Sequence, residues 1–258
     1  MDEVAELHGL AGRGLAAMFG GAESSEVWLT RAGVMALSGE AVADLNMLLL
    51  CQPPDEARRF LEEAMARADA RGLPLVALMA PAVTAELASA APWLGLTAAG
   101  TMPLMVLRGA PTAGPAPPCR IERVTTSEAG RAAGELLAAA FDLPLDAAMR
   151  SAGAIVGPAA NAELFVAYEG ETPVSTVTVS RSGDTAGIWS MATPPKRQGR
   201  GLGRALLTGV IERCRVAGVE RFYLFATAAG RPLYERLGFV AIADEAVWAK
   251  GHSTQASQ

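Results

Sequence analysis

The feature that most constrains this chain is an interruption. From Arg108 to Pro118 it reads Arg-Gly-Ala-Pro-Thr-Ala-Gly-Pro-Ala-Pro-Pro. The prolines remove backbone donors and fix φ, while the glycines and alanines between them offer little to pack. No helix or strand is expected to run through it, so the 258 residues divide into a first domain over 1–110, a linker over 111–118 and a second domain over 119–258. Each part is long enough to fold around its own core. Hydrophobic residues make up 51% of the chain, far more than a disordered polymer carries.

Past the linker the pattern is legible. Cys119 to Val124 reads as a strand, Ser127 to Phe141 as a helix with Ser127 at its cap, and Asp146 to Ile155 as a shorter helix. Three β-rich runs follow, Glu163 to Tyr168, Pro173 to Arg181 and Thr185 to Ala192, separated by Glu-Gly-Glu and Ser-Gly-Asp turns that favour antiparallel pairing. From Gly201 to Ala217, Leu202, Leu206, Val210 and Cys214 fall on one helical stripe, and Gly218 stands where a left-handed residue ends the helix. A strand over Arg221 to Thr227, a helix from Gly230 to Leu237, and closing strands over Val240 to Ile242 and Ala246 to Lys250 complete the reading.

The first part repeats this order. At an offset of 146 residues, Gln52 lies on Gln198, Gly72 on Gly218, and Leu73 to Ala80 on Val219 to Ala226; a little later Leu94-Gly95-Leu96 answers Leu237-Gly238-Phe239. Leu45 to Cys51 reads as a buried strand. The pattern is that of a duplicated unit.

Charge and composition remove several functions. A formal charge of −5 and a pI near 5.2 argue against a surface for nucleic acid. Three scattered cysteines suit a reducing cytoplasm, and two histidines, His8 and His252 near the chain ends, argue against a metal site or a serine triad. The acidic start Met1-Asp2-Glu3 and the lack of a long apolar run point away from a secretory signal or a membrane span.

Chemistry concentrates between Met191 and Arg204, where a strand end passes through Gly199, Gly201 and Gly203 into a helix with no Asp or Glu from Thr193 to Ile211. Glycines let the backbone turn tightly, so amides unpaired at the helix start can converge on phosphate oxygens, aided by the dipole. Lys196, Arg197, Arg200 and Arg204 add local positive charge. A dinucleotide fingerprint starting at Gly199 would need glycine where Arg204 stands, and a P-loop would need Lys-Ser or Lys-Thr where Arg204-Ala205 stands.

Gln198-x-x-Gly201-x-Gly203 after Thr193-Pro194, followed by Gly230-x-Pro232-Leu233-Tyr234-Glu235-x-x-Gly238-Phe239, resembles the GNAT superfamily of acyl-CoA N-acyltransferases from roughly Cys119 to Lys250. The resemblance implies an α+β (α/β/α) fold of tandem domains, each a mixed, mostly antiparallel twisted sheet flanked by helices. It implies that the strand ending near Met191 splays from Arg221 to Thr227 to admit pantetheine. Acetyl-CoA would then be held as co-substrate, without a metal, by Met191, Ala192, Thr193, Gln198, Gly199, Arg200, Gly201, Leu202, Gly203 and Arg204. Tyr234 would serve as the catalytic acid.

No residue is singled out as the general base: Ser190, Trp189, Glu163, Asp142 and Asp146 are candidates, and a chain of water molecules is the alternative. The expected activity is transfer of an acetyl group to a primary amine of a small molecule or peptide by a cytoplasmic enzyme, and an oligomer is compatible with it. A non-catalytic acyl-CoA sensor with an N-terminal interaction domain is the alternative. In the first part Pro53, Asp55 and Ala57 stand where the three glycines would be, so that domain is expected to have lost the coenzyme A loop.

Overall fold

The computed structural model describes residues 2–156 and 162–251, so His252 lies outside the described residues. The chain forms two compact units, residues 1–104 with 241–258 and residues 105–240.

Unit 1 begins with α1 (Glu3–Phe19), capped by the Asp2 carboxylate accepting from the Val4 amide. Then come β1 (Glu26–Leu29), β2 (Gly33–Leu37), β3 (Asn46–Leu50), α2 (Pro54–Ala70), β4 (Leu75–Met79), α3 (Pro81–Ala90) and β5 (Thr97–Arg108), whose last residues pass into unit 2. β2 and β4 are buried throughout, as expected of strands covered on both faces. Asn46, wholly buried, is fully used: its side-chain amide donates to the Glu40, Val42 and Pro74 carbonyls, and its oxygen accepts from the Ser38 amide.

Unit 2 continues with β6 (Arg120–Arg123), α4 (Ser127–Phe141), α5 (Leu145–Ile155), β7 (Ala162–Glu169), β8 (Thr172–Ser182), β9 (Thr185–Ala192), α6 (Leu202–Val216), β10 (Arg221–Phe225) and α7 (Arg231–Leu237). β7, β8 and β9 pair antiparallel, as their turns predict, and β9 runs parallel to β10. Leu202, Leu206, Val210 and Cys214 are all buried in the core that α6 shares with β8, β9 and β10. Gly218 and Gly238 take the left-handed conformation that ends the two helices. The cap of α4 is Thr126, whose hydroxyl accepts from the Ala129 amide, rather than Ser127. Adjacent hydroxyl residues offer the same chemistry, and the extended backbone of Thr126 decides between them.

The partition departs from a cut at the proline-rich run. β11 (Val240–Lys250) forms one continuous strand instead of two, and all of it after Val240 belongs to unit 1, where Ala246 to Lys250 pair antiparallel with Met79 to Leu75. In unit 1 the strand order is β1-β2-β3-β4-β11-β5, and in unit 2 it is β5-β10-β9-β8-β7-β6. Each unit therefore includes a strand segment from the other half of the sequence. Strand pairing, not composition, sets the boundary.

The proline-rich run has no regular structure, yet it packs, which corrects the expectation that it has nothing to pack with. The Thr112 amide donates to the Leu237 carbonyl at 2.9 Å, and Arg204 Nη2 donates to the Thr112 carbonyl at 2.9 Å. Gly114 lies so close to the Arg204 guanidinium that a side chain there would collide with it. The run is a strap laid over the start of α6.

Candidate active site

Two parallel strands of unit 2 frame the site. β10 pairs with β9 from Arg221 opposite Thr185 to Tyr223 opposite Gly187, and both strands continue beyond the last pair. Opposite β8, the register of β9 shifts so that Ser190 and Met191 face Val177 alone, a β-bulge with Ser190 at φ +47. Left-handed backbone at a serine costs about 1 kcal/mol or more, a strain that clusters at functional positions. Gly187 is required by packing: a Cβ there would meet Trp189 Nε1 at 2.6 Å and the Tyr223 hydroxyl at 2.7 Å.

β9 leads through Thr193 and Pro194 into the glycine bend. Ser175 Oγ lies 2.8 Å from both the Ala192 carbonyl and Thr193 Oγ1, and Gln198 Nε2 donates to the Thr193 carbonyl at 3.0 Å, so the entry to the bend is tied at both ends. Gly199 and Gly201 are left-handed, at φ +75 and +78, and Gly201 caps α6 without a side chain. The helical ladder starts with the Ala205 amide donating to the Gly201 carbonyl at 2.9 Å, so Leu202, Gly203 and Arg204 carry amides that precede it. A Cβ on Gly203 would meet Met191 Cε at 3.0 Å and Thr193 Oγ1 at 3.3 Å. Gly199 has open space on that side, while Gly201 is approached by Pro117, 3.1 Å from where its Cβ would be. The bend is thus walled on one side by the strap and offers amides and a helix dipole suited to a diphosphate.

The neighbouring cations are less free than their spacing suggests. Arg200 and Arg197 both pair with Glu169 at the end of β7, at 2.9 and 3.4 Å. Arg204 is engaged by the Thr112 carbonyl and, at 3.4 Å, by the Arg236 carbonyl. Glu169 is 29 residues before Gln198 in the chain, so no local pattern around the bend reveals it.

Tyr234 on α7 is buried, its ring edge-on to Phe239 at 5.9 Å between centroids and packed on Gly230, where a Cβ would come within 3.0 Å. Among the described residues its hydroxyl takes no hydrogen bond, and burial pushes its pKa above the ordinary tyrosine value. The five candidates for the base are scattered in role. Glu163 is held by Arg123 and Arg181 at 3.1 and 3.2 Å. Trp189 is buried and donates to Ser180 Oγ at 2.8 Å, while Asp142 and Asp146 lie exposed around the α4–α5 turn. Ser190 is the one that the bulge turns outward, and it is exposed. Among the described residues no cluster of His, Cys, Asp and Glu could hold a metal ion, and no helix is long and apolar enough to cross a membrane.

Unit 1 places the same elements without the same opening. Pro53 and Pro54 stand at the start of α2, followed by Asp55 and Glu56, and the cap has no side-chain partner. β3 pairs with β4 up to Leu50 opposite Met79, the last residue of each, and the Ala80 amide extends the contact to the Leu50 carbonyl at 2.9 Å.

Residues 135–239 match the acetyltransferase (GNAT) family. No curated protein sequence matches the chain significantly. Among solved structures, a GCN5-related N-acetyltransferase from Kribbella flavida aligns over 100% of this chain and 99% of its own, with a TM-score of 0.71 and 19% identity. A GCN5-related N-acetyltransferase from Sphaerobacter thermophilus covers 85% of this chain and 76% of its own, at TM-score 0.60 and 17% identity. A tandem GNAT protein from the clavulanic acid biosynthesis pathway covers 96% and 94%, at TM-score 0.58 and 14% identity. At such identities the likeness is one of fold.

Proposed function

From the premise that the second half carries a GNAT domain, we propose that this protein transfers an acetyl group from acetyl-CoA to a primary amine of a small molecule or peptide. The observation that carries the reading is the conjunction in unit 2 of a strand pair that stops pairing at Gly187 and Tyr223, a glycine bend with amides ahead of the α6 ladder, and a buried phenol without a protein partner. When bound, acetyl-CoA supplies the activated thioester. The amides from Gly199 to Arg204 hold its diphosphate, with Gln198 and Thr193 fixing the entry to the bend, and Met191 and Ala192 border the acyl end.

The Met191 amide, displaced by the bulge, donates to the thioester oxygen and favours the tetrahedral oxyanion. Tyr234 keeps its proton because burial disfavours the phenolate, and in this reading its hydroxyl is the donor to the departing sulfur. Such a donor stabilises the thiolate and returns a proton to it as the C–S bond breaks. The amine attacks in its neutral form, having given its first proton to solvent; as the tetrahedral intermediate collapses, the nitrogen releases a second proton to solvent, and solvent returns one to Tyr234, so the amide and the free thiol form with the phenol restored.

The test is a pair of measurements on the whole chain. Calorimetry is expected to register acetyl-CoA binding, and release of free thiol is expected with a panel of primary amines. Binding without turnover on any amine would leave an acyl-CoA sensor; no binding would remove both readings.

A further inference from the structure

Unit 1 contains a cavity of about 850 Å³ bounded by one face of α1, the turn between β1 and β2, the residues after β3 and the start of α3, with Ile242 and Ala243 from β11 completing it. Sites for small molecules span about 300 to 1,000 Å³, so this one has the capacity of a ligand site. Cys51 and Ala80, which follow the parallel strands β3 and β4, lie in its wall, so it opens at the carboxyl ends of that pair, where open α/β sheets take their ligands. Coenzyme A is not suited to it, because Pro53 forms part of the wall and leads into the proline-capped, acidic first turn of α2.

The ionisable groups of the wall are committed, neutral or out in solvent. Asp2 caps α1, Arg31 pairs with Glu56, and His8 Nε2 lies 3.0 Å from Glu245 Oε1. An imidazole so placed is either neutral or balanced by its carboxylate, and brings no unpaired charge to the cavity. The Cys51 thiol keeps its proton, because burial, and after it the Glu245 carboxylate, push its pKa up to about 12. Arg13 is exposed, where water and salt screen it. Glu245 itself has no exposure, so it offers a cation in the cavity no contact, and its Oε2, buried without a hydrogen-bond partner among the described residues, disfavours an anion nearby. A charge of either sign would thus lose its hydration inside without finding a partner. What the wall does offer is apolar surface, from Val4, Ala5, Val34, Leu49 and Ile242, and the Gln52 side-chain amide, which has no protein partner among the described residues and can both donate and accept.

The helix on this cavity carries glycine where neither backbone nor packing requires it. Gly9 and Gly12 of α1 both lie in the wall, although glycine weakens a helix interior relative to alanine. Packing accounts for Gly12, whose Cβ would come within 3.0 Å of Leu29 Cδ1. At Gly9 a Cβ would meet nothing nearer than Arg13 Nη1 at 3.9 Å. A side chain there would take up open space rather than collide.

We propose that the unit 1 cavity binds an uncharged, largely apolar small molecule carrying a hydroxyl or carbonyl group, with Gln52 meeting that group and Gly9 leaving room for the apolar body. The site is independent of the acyl-transfer reading of unit 2.

Calorimetry on the full-length protein with straight-chain alcohols from butanol to decanol and the corresponding methyl ketones, and with carboxylates and primary amines of matching length, tests it. Affinity in the neutral series is expected to rise about threefold to fourfold per methylene until the cavity is filled, and to stay level as salt is added. The carboxylates and amines should bind at least about tenfold more weakly, since each must strip water from a charge that the wall does not pair. Gly9→Leu should weaken the neutral ligands at least about tenfold while the melting temperature holds or rises, because leucine favours a helix where glycine does not. Ala82→Trp, at an exposed position of the wall, is a second block with the same expectation for binding. Gln52→Leu should lower alcohol and ketone affinity by a few fold and leave the gain per methylene unchanged. No alcohol or ketone binding at millimolar concentration, carboxylates or amines binding as tightly as alcohols, binding that survives both Gly9→Leu and Ala82→Trp, or no loss in Gln52→Leu would overturn the proposal.

Discussion

From β1 and from β7 onward the two halves run through one order, three strands and then helix, strand, helix and strand, and they diverge where a parallel strand pair meets a helix. In unit 1, β3 and β4 stay paired to their last residues and α2 starts with two prolines and two acids. In unit 2, β9 and β10 stop pairing while both still run on, Ser190 bulges out, and α6 starts from left-handed glycine. The contrast separates what the architecture needs from what anion binding needs. Prolines and acids at a helix start suit an empty terminus, since they remove or neutralise unpaired donors. Glycines leave those donors available. Tyr234 has no counterpart either: aligning Gly95 with Gly238 sets Ala91, wholly buried and without a polar atom in its side chain, in its place.

The largest expected effect makes unit 2 resemble unit 1. Gly201→Asp brings an acid to the bend, a Cβ against Pro117 and strain at φ +78. It is expected to weaken acetyl-CoA binding at least about a hundredfold by calorimetry, with unit 1 retained. The reciprocal exchange sharpens the comparison. Replacing Pro53 and Asp55 with glycine should not create a coenzyme site in unit 1, because β3 and β4 remain paired to their ends; measurable binding there would show that the bend alone suffices.

Next is Tyr234→Phe, which keeps the packing on Phe239 and Gly230 but removes the hydroxyl. A fall in kcat of roughly a hundredfold with unchanged acetyl-CoA affinity is expected, and equal turnover would remove the phenol from the mechanism. The pH dependence follows from the direction of its shift. A raised pKa keeps the proton on the folded protein beyond the ordinary titration point near 10, so kcat should show no loss from Tyr234 deprotonation as pH rises to 10. An alkaline decline below that point, absent from Tyr234→Phe, would contradict the buried acid.

Much of this contrast is readable from residues. The Leu202–Leu206–Val210–Cys214 stripe, the turn glycines between β7, β8 and β9, and the glycine bend each express a short-range rule, and the elements lie where those rules put them. What was not readable depends on partners far along the chain. Nothing in Ala246 to Lys250 says that it pairs with Leu75 to Met79, because an alternating strand specifies a face and not a neighbour. The strap illustrates the same limit: its prolines predict irregular backbone, but not that Thr112 would accept from Arg204. The Ser190 bulge likewise requires β8 as its reference.

The smallest effect tests whether the cations of the bend are held in reserve. Glu169 occupies both Arg197 and Arg200 in partly exposed ion pairs, which contribute little to stability by themselves. Glu169→Gln would leave the two guanidinium groups available to a diphosphate, whereas in unit 1 the acids lie in the first turn of α2 itself, where Glu56 pairs with Arg31. Acetyl-CoA affinity is therefore expected to rise by a few fold at low ionic strength, with the gain shrinking as salt screens it. A loss of affinity instead would mean that Glu169 orients the arginines productively, and the cations would then belong to the binding geometry rather than to its surroundings.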